Sequence, residues 1–186
     1  MSQDARILHS GRYIALGSRN GWEYVLRRHR VVVIIAWTPD EELLLVEQHR
    51  VPVDRRTIEL PAGLVGDEVG QEEESLIEAA GRELEEETGW RAGALRALMR
   101  CPTSAGLTDE EVTFISADDL VRTGDGGGDD SEDIIVHRIG REHIDAWLAD
   151  CHHAGLAIDP KIYTGLYWSG LAGQPPAGND DQSGDG

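Results

Sequence analysis

Residues 82–90 contain a run of carboxylates with helical spacing, Arg82-Glu83-Leu84-Glu85-Glu86-Glu87-Thr88-Gly89-Trp90. Residues three and four apart on a helix are neighbours, so Glu83, Glu86 and Glu87 project to one side while Leu84 supplies apolar contact. Like charges so placed repel by about 0.2–0.5 kcal/mol per exposed pair, and the repulsion becomes attraction when a cation lies among them. Hard oxygen ligands suit Mg²⁺ or Mn²⁺. The run therefore predicts a divalent-metal site of the kind that handles phosphates.

The alternative for such a run is a solvated helix face, which is the commoner role of glutamate clusters. What favours a metal site is the whole pattern: Glu74, seven residues, then Arg-Glu-hydrophobic-x-Glu-Glu-x-Gly-hydrophobic ending at Trp90. This pattern resembles the signature of the Nudix hydrolases at every position except its start. Where the family has its opening glycine this chain has Glu68, and the matching glycine is Gly63. We interpret the difference as a five-residue insertion in the loop before the helix, because a longer surface loop costs little entropy.

Charge and composition narrow the classes of partner. The chain has 186 residues and a net charge of −18, with 35 acidic residues against 17 lysines and arginines. Nucleic acids and anionic membranes bind basic surfaces, so both are unexpected partners. No apolar run approaches the roughly 20 residues that cross a bilayer. With only Cys101 and Cys151 and no export signal, we expect a cytoplasmic protein with free thiols.

Hydrophobic periodicity and turn residues predict an alternation of strands and helices. Asn20-Gly21 indicates a tight hairpin turn, and Gly89 indicates the end of the carboxylate helix. The expected strands are 12–16, 22–27, 31–37, 42–48, 58–60, 94–100, 111–117 and 133–138, and the expected helices are 72–88, 142–151 and 160–171. Residues 173–186, rich in Gly, Pro, Asn and Asp, are expected to be a disordered tail.

The family resemblance implies an α/β fold, the Nudix α/β/α sandwich with a mixed β-sheet, as one domain over 1–172. Its N-terminal strand extension covers 1–28. Within the family the chain resembles the ADP-ribose and nucleoside diphosphate sugar pyrophosphatases, through Trp22-Glu23-Tyr24-Val25, residues 45–50 and Ile58-Glu59-Leu60-Pro61-Ala62-Gly63. Such relatives are often dimers whose N-terminal strands complete the partner's site. We therefore expect a homodimer in which Trp22 approaches the other subunit's substrate.

The expected metal ligands are Glu83 and Glu87, with Glu86 as a third ligand and catalytic group. The resemblance adds the backbone carbonyl of Ala62. A metal bound there neutralises pyrophosphate oxygens, holds substrate and water together and lowers the pKa of the water.

Two further roles are expected around the metal. Arg82 should orient the carboxylates through charge-assisted hydrogen bonds, and Glu74 should support the ligands rather than bind metal. A general base is also needed, and in similar pyrophosphatases it comes from an acidic loop before a late strand. Here that loop is 124–133, and Glu132 matches the family's acidic residue as base or additional ligand, with Asp130 the runner-up. The alternative is a solvated acidic turn.

The substrate-binding candidates come from the same resemblance. Trp22 and Glu23 are candidates to stack on and read the base, although a strand tryptophan often packs on the core instead. Arg27 and Arg50 are placed to contact phosphates or ribose, for which guanidinium geometry is suited. Structural ion pairs are the alternative for both arginines.

These residues together predict metal-dependent hydrolysis of the pyrophosphate bond of ADP-ribose or a related nucleoside diphosphate sugar. The ADP-ribose enzymes tend to carry a proline where this chain has Ala105, so a GDP-sugar is an alternative substrate. A different class of protein, a nucleotide-sensing module with little or no catalysis, is the second alternative. An intact carboxylate cluster argues against it, because a pure binder has little need of repelling charges.

Overall fold

A computed structural model describes residues 6–66, 70, 73–128 and 133–170. The strands are β1 Arg6–Ser10, β2 Ile14–Arg19, β3 Trp22–Arg27, β4 Val31–Ala36, β5 Glu42–Arg50, β6 Arg55–Glu59, β7 Ala62–Leu64, β8 Trp90–Arg91, β9 Ala94–Pro102, β10 Glu111–Asp118, β11 Val121–Arg122, β12 Ile135–Gly140 and β13 Ala157–Ile158. The α-helices are α1 Leu76–Thr88, α2 Ile144–His153 and α3 Lys161–Gly170, and short 3₁₀ turns cover Val51–Val53 and Arg141–His143.

The strands form two four-stranded sheets and two smaller ones. One large sheet has the order β7-β4-β10-β9, with β4 and β10 parallel, and the other has the order β12-β5-β6-β13. The N-terminal strands form a separate antiparallel sheet in the order β1-β2-β3, and β11 pairs with β8. The predicted mixed sheet with an N-terminal strand extension is therefore confirmed.

Strand β4 shows why the molecule is layered. Its side chains alternate between faces, and both faces are buried. Val32, Ile34 and Ala36 pack in the core under α1, while Val33 and Ile35 pack in the core that includes residues of α2 and α3. A strand buried on both faces requires covering layers on both sides, which is the α/β/α arrangement expected from the sequence.

Helix α1 begins later than the expected residue 72. Ser75 is its N-cap: the Ser75 hydroxyl accepts from the Glu78 N–H at 3.2 Å and the Glu78 carboxylate accepts from the Ser75 N–H at 2.9 Å. This capping box places Glu74 before the helix. The end is as predicted, because Gly89 is left-handed at φ 72° and its N–H donates to the Glu85 carbonyl.

Other expectations near the N-terminus are partly corrected. The Asn20-Gly21 turn is confirmed, with both residues at positive φ. Strand β2 covers 14–19 rather than 12–16, because a turn closed by the Gly11 N–H and the Ile14 carbonyl precedes it. Strand β1 was not predicted. The tail 173–186 lies outside the described residues, as do 67–69, 71 and 72 in the loop of the proposed insertion.

None of the helices in the described part of the chain has the length and apolar character that a membrane span requires.

The capping box gives a stability prediction. Ser75→Ala removes the side-chain acceptor at the start of α1 and is expected to lower the free energy of unfolding by about 1 kcal/mol, measured by urea denaturation. Ser169→Ala is the matched control, because the Ser169 hydroxyl donates to the Leu166 carbonyl near the end of α3 and caps no helix start. Equal effects of the two substitutions would contradict the capping role.

Candidate active site

Arg82 is the centre of the predicted carboxylate group. Its Nε and Nη2 donate to the two carboxylate oxygens of Glu74 at 3.0 and 3.2 Å. Its Nη1 is shared between Glu83 Oε1 at 3.0 Å and Glu86 Oε2 at 3.2 Å, and Nη2 also reaches the Leu64 carbonyl at 3.3 Å. The guanidinium thus uses all its nitrogens to hold three carboxylates around one turn of α1.

Glu74 supports this arrangement from outside the helix. The hydrogen bond from Arg82 is the main cause of a lowered pKa at Glu74, and the Gly66 N–H adds a second bond at 3.1 Å. In return, the hydrogen bond to Glu74 is the main cause of a raised pKa at Arg82. The pair is therefore charged at neutral pH. Glu74 thus binds Arg82 and the Gly66 backbone, and its supporting role at a metal site stays a prediction.

Gly63 makes room for Glu83. A Cβ at position 63 would lie 1.9 Å from the Glu83 carboxyl group, so a larger residue would displace that carboxylate. Strand β7 delivers this glycine to α1 through antiparallel pairing with β4, in which Gly63 lies opposite Val32. The sequence Pro61-Ala62-Gly63 thus forms one wall of the carboxylate site.

Glu87 is the most enclosed of the three carboxylates on this face. Its residue is 4% exposed, and its Oε2 accepts from the Ala62 N–H at 3.1 Å. A carboxylate buried to this degree needs compensating partners. Glu87 is therefore bonded to Ala62, next to Gly63, whose lack of a side chain leaves space for Glu83.

The donor set fits a hard divalent cation. Carboxylate oxygens of Glu83, Glu86 and Glu87 and the main chain at Ala62 are the oxygen ligands that Mg²⁺ and Mn²⁺ prefer. In the described residues, no three His, Cys, Asp or Glu side chains stand ready-made around a metal position. Glu83 and Glu86 instead accept hydrogen bonds from Arg82 Nη1. A bound cation would draw both toward itself while Glu74 retains Nε and Nη2.

The loop after β11 joins the end of α1. The Gly127 N–H donates to the Glu87 carbonyl at 2.8 Å, and the Gly128 N–H donates to the Glu86 carbonyl at 3.1 Å. Gly126 is at φ 69°. The part of the loop that precedes the candidate bases is thus bonded to the carboxylate turn. Glu132 and Asp130 themselves lie outside the described residues.

Arg50 lies near the carboxylate turn but already has a partner. Its Nε and Nη2 donate to both oxygens of Glu59 at 2.7 and 2.8 Å. That bond is the main cause of a raised pKa at Arg50, and the charges of Glu87 and Asp159 raise it further. Glu59, 4% exposed, is a site residue that the sequence reasoning missed. The signal in the sequence was a carboxylate at the end of a strand, two residues before Pro61.

Trp22 borders a cavity of about 650 Å³ between the β2–β3 hairpin and the loop before β10. The indole is 66% exposed and its Nε1–H donates to the Gly106 carbonyl at 3.3 Å. Glu23 pairs with Ser18 on the opposite face of the hairpin. The cavity is lined by Arg19, Asn20, Trp22, Tyr24, Pro102, Ala105, Gly106, Thr108, Asp109 and Glu111.

Arg27 ties the hairpin to the same loop. Its Nε lies 2.7 Å from Glu110 Oε2, and its backbone N–H donates to Asp109 Oδ1 at 2.9 Å. The predicted site residues therefore fall into two groups. Ala62, Arg82, Glu83, Glu86 and Glu87 converge at the end of α1 with Arg50 beside them, and Trp22 and Arg27 lie at the hairpin.

Comparison with known proteins agrees with this geometry. The profile of the NUDIX domain matches residues 27–148. The chain is 32% identical over 111 residues to a methanol dehydrogenase activator of Bacillus methanolicus, covering 60% of this chain and 57% of that protein. It is 36% identical over 96 residues to an ADP-ribose pyrophosphatase of Bacillus subtilis, covering 52% of this chain and 49% of that protein. The chain thus spans about half the length of these curated relatives.

A solved structure described as an ADP compounds hydrolase superposes with a TM-score of 0.68 at 22% identity, covering 89% of each chain. At that identity the likeness shows the fold. The profile match runs from the end of β3 into α2 and includes the whole carboxylate turn with its Arg82 and Gly63, so this chain belongs to the NUDIX domain family.

Proposed function

We propose that this protein hydrolyses the pyrophosphate bond of ADP-ribose or a related nucleoside diphosphate sugar, using Mg²⁺ or Mn²⁺ and releasing a nucleoside monophosphate and a sugar phosphate. The observation that carries the proposal is the carboxylate turn of α1, held by Arg82 and enclosed by Gly63. The relatives named ADP-ribose pyrophosphatase, from Bacillus subtilis and Mycobacterium tuberculosis, support the choice of substrate class.

The chain's own residues hold the reacting groups. Glu83, Glu86, Glu87 and the Ala62 carbonyl would bind the cation, which supplies charge neutralisation of the pyrophosphate and activation of water. Arg82 is held in place by Glu74 through Nε and Nη2. Its Nη1, which binds Glu83 and Glu86, is therefore the nitrogen that would release these carboxylates to a cation. Glu132 is our choice for the base that takes the proton from water, and Asp130 is the runner-up.

The cavity beside Trp22 supports a role in binding the base. An exposed indole on a strand paired in a sheet offers a stacking face at small entropic cost. Trp22 is the better supported of the two base-binding candidates, because Glu23 faces away from that cavity. Arg27 and Arg50 would bind phosphate or ribose oxygens in place of their present partners, which are Glu110 and Glu59 respectively.

The same cavity bears on substrate range. Ala105 forms part of its lining, where the ADP-ribose enzymes tend to have proline. A smaller side chain there favours admission of other bases or sugars, so GDP-sugars belong in the substrate test. A nucleotide-sensing module would use the same cavity without turnover.

We further propose a homodimer formed through the N-terminal strands. Apolar side chains of this sheet and its turns are exposed, and exposed apolar patches mark interaction surfaces. The exposed set is Ile7, Leu8, Tyr13, Ile14, Leu16 and Trp22. In such a dimer Trp22 would approach the partner's substrate. We place the protein in the cytoplasm, because both cysteines are free thiols.

The function is tested by chromatographic analysis of products from ADP-ribose, ADP-glucose, GDP-mannose and NADH, with Mg²⁺ or Mn²⁺ and with chelator. AMP and ribose 5-phosphate from ADP-ribose, lost with chelator, are the expected result. Preference for GDP-mannose would assign the Ala105 cavity to substrate selection. Binding of nucleotides without any turnover would favour the sensing module.

Glu87→Gln is expected to lower kcat/KM by about 10²–10³-fold, the scale seen when a charge-stabilising group is removed from an active site. The fold should persist, because a glutamine oxygen can still accept from the Ala62 N–H. Steady-state kinetics and thermal unfolding measure the two effects. Glu85→Gln is the matched control: it makes the same change in the same turn, but Glu85 pairs with Arg91 away from the site. Equal losses in both variants would contradict the assignment.

Trp22→Ala is expected to raise KM about 5-fold to 150-fold, from the ~1–3 kcal/mol that base–aromatic stacking contributes, with kcat little changed. Tyr167→Ala, which removes another exposed aromatic ring on α3, should leave both constants unaltered. An unchanged KM in Trp22→Ala would exclude base stacking at this residue.

The dimer is tested by light scattering coupled to gel filtration. We expect the mass of two chains, because pairing would remove the exposed side chains of β1 and β2 from water. Ile14→Asp should shift the mass toward one chain. A monomeric wild-type protein at micromolar concentration would refute the proposed assembly.

A further inference from the structure

We propose that Gly126, Gly127 and Gly128 are positioning residues for the metal carboxylates, acting through the backbone of the last turn of α1. This inference rests on the proposed function, because it assigns the glycines a part in metal binding. It goes beyond that function by locating the support of the carboxylates in a loop that carries no ligand among its described residues.

The last turn of α1 needs such support. The final carbonyls of a helix have no partner within the helix and its C-terminal end is electrically negative. Here that end carries Glu85, Glu86 and Glu87, and the described helix has no basic residue in its last turn. Both effects favour fraying of the turn, and fraying would move Glu86 and Glu87 away from Glu83.

The loop opposes fraying with backbone donors. The Gly127 and Gly128 N–H groups donate to the carbonyls of Glu87 and Glu86, which brings partial positive charge to the negative end of the helix. The two carbonyls belong to the residues whose side chains are proposed ligands. Any shift of these donors therefore acts directly on the backbone that aims the carboxylates.

Only glycine permits the approach at position 126. A Cβ there would lie 2.4 Å from the Thr88 carbonyl carbon and 2.6 Å from the Glu87 oxygen. The contact is reciprocal, because a Cβ on Gly89 would lie 2.5 Å from the carbonyl group of Gly124. The backbone of the helix end and the backbone of the loop are therefore in direct contact, with no room for side chains between them. Both Gly89 and Gly126 also have a left-handed backbone conformation.

The far end of the loop is anchored as well. Arg56 Nη1 donates to Asp133 Oδ2 at 2.6 Å and Arg56 Nη2 donates to the Asp133 carbonyl at 3.2 Å. Arg56 is itself held by Glu47, whose carboxylate lies 2.5 Å from Arg56 Nε and 2.9 Å from His137 Nε2. The described ends of the loop are therefore bonded to α1 on one side and to the β5–β6 ladder on the other.

The experiment measures the Kd of Mn²⁺ alone by isothermal titration calorimetry, with thermal unfolding in chelator as the check on folding. Gly126→Ala is expected to weaken Mn²⁺ binding at least about tenfold, the scale seen when residues that orient metal ligands are changed. Gly127→Ala strains φ +109° but meets only the Ile134 carbonyl at 3.8 Å, so a smaller loss is expected. If Gly126→Ala does not fold, the Mn²⁺ affinity of Gly127→Ala is the test of the proposal.

Two controls separate positioning from general stability. Gly124→Ala lies in the same loop, has no atom within 4 Å of its new Cβ, and should bind Mn²⁺ within twofold of wild type. Leu148→Ala removes a buried side chain of α2 in the core on the other face of β4 and should lower the midpoint of unfolding without changing the Kd. Metal affinity lost only in the variants at 126 and 127 supports the proposal.

Two results would overturn the inference. Mn²⁺ affinity in folded Gly126→Ala and Gly127→Ala equal to that of Gly124→Ala would refute the positioning role and leave the proposed function intact. Absence of Mn²⁺ binding by the wild-type protein would refute the proposed function, and the inference with it.

Discussion

The structure depends on a concentration of negative charge at the end of a helix where the backbone is already negative. Glu86 and Glu87 lie in the last turn of α1, one turn after Glu83, and repel one another and the helix dipole. A turn so placed is stable only with compensating positive charge. Arg82 supplies most of it from the same helix, and the glycine N–H groups after β11 add to it. The remaining negative charge is the physical basis of our proposal that this turn binds a divalent cation.

The rest of the fold brings partners to this turn. Strand β4 is buried on both faces and pairs with β7, which sets Ala62 and Gly63 against Glu87 and Glu83. The capping box at Ser75 defines the start of α1, so Glu74 lies just before the helix. From there the Glu74 carboxylate accepts two hydrogen bonds from Arg82. The hairpin of β2 and β3 forms a second region, with the cavity that we propose for the base. Membership of the NUDIX family and the two regions together are the basis of the proposed pyrophosphatase activity.

The carboxylate turn was predictable because its geometry is local: the spacing of Glu83, Glu86 and Glu87 defines one helix face by itself. The partners of Arg50 and the anchoring of Gly126 were not predictable, because both depend on contacts between segments distant in sequence. The start of α1 was placed too early because the glutamates before Ser75 have a high helix propensity. Only the capping bonds of Ser75 show that the helix begins after them. Side chains alternate between the two faces of a strand, so the sequence alone could have predicted that Trp22 and Glu23 point to opposite faces. Both were named as base-binding candidates because the family resemblance was followed instead.

Anomalous diffraction at the manganese edge, from crystals of the protein soaked in Mn²⁺, would locate the metal. We expect a peak bounded by the carboxylates of Glu83, Glu86 and Glu87 and the Ala62 carbonyl, with Arg82 still bonded to Glu74. A peak at another position, or no peak at saturating Mn²⁺, would contradict the claim that the end of α1 is the metal site.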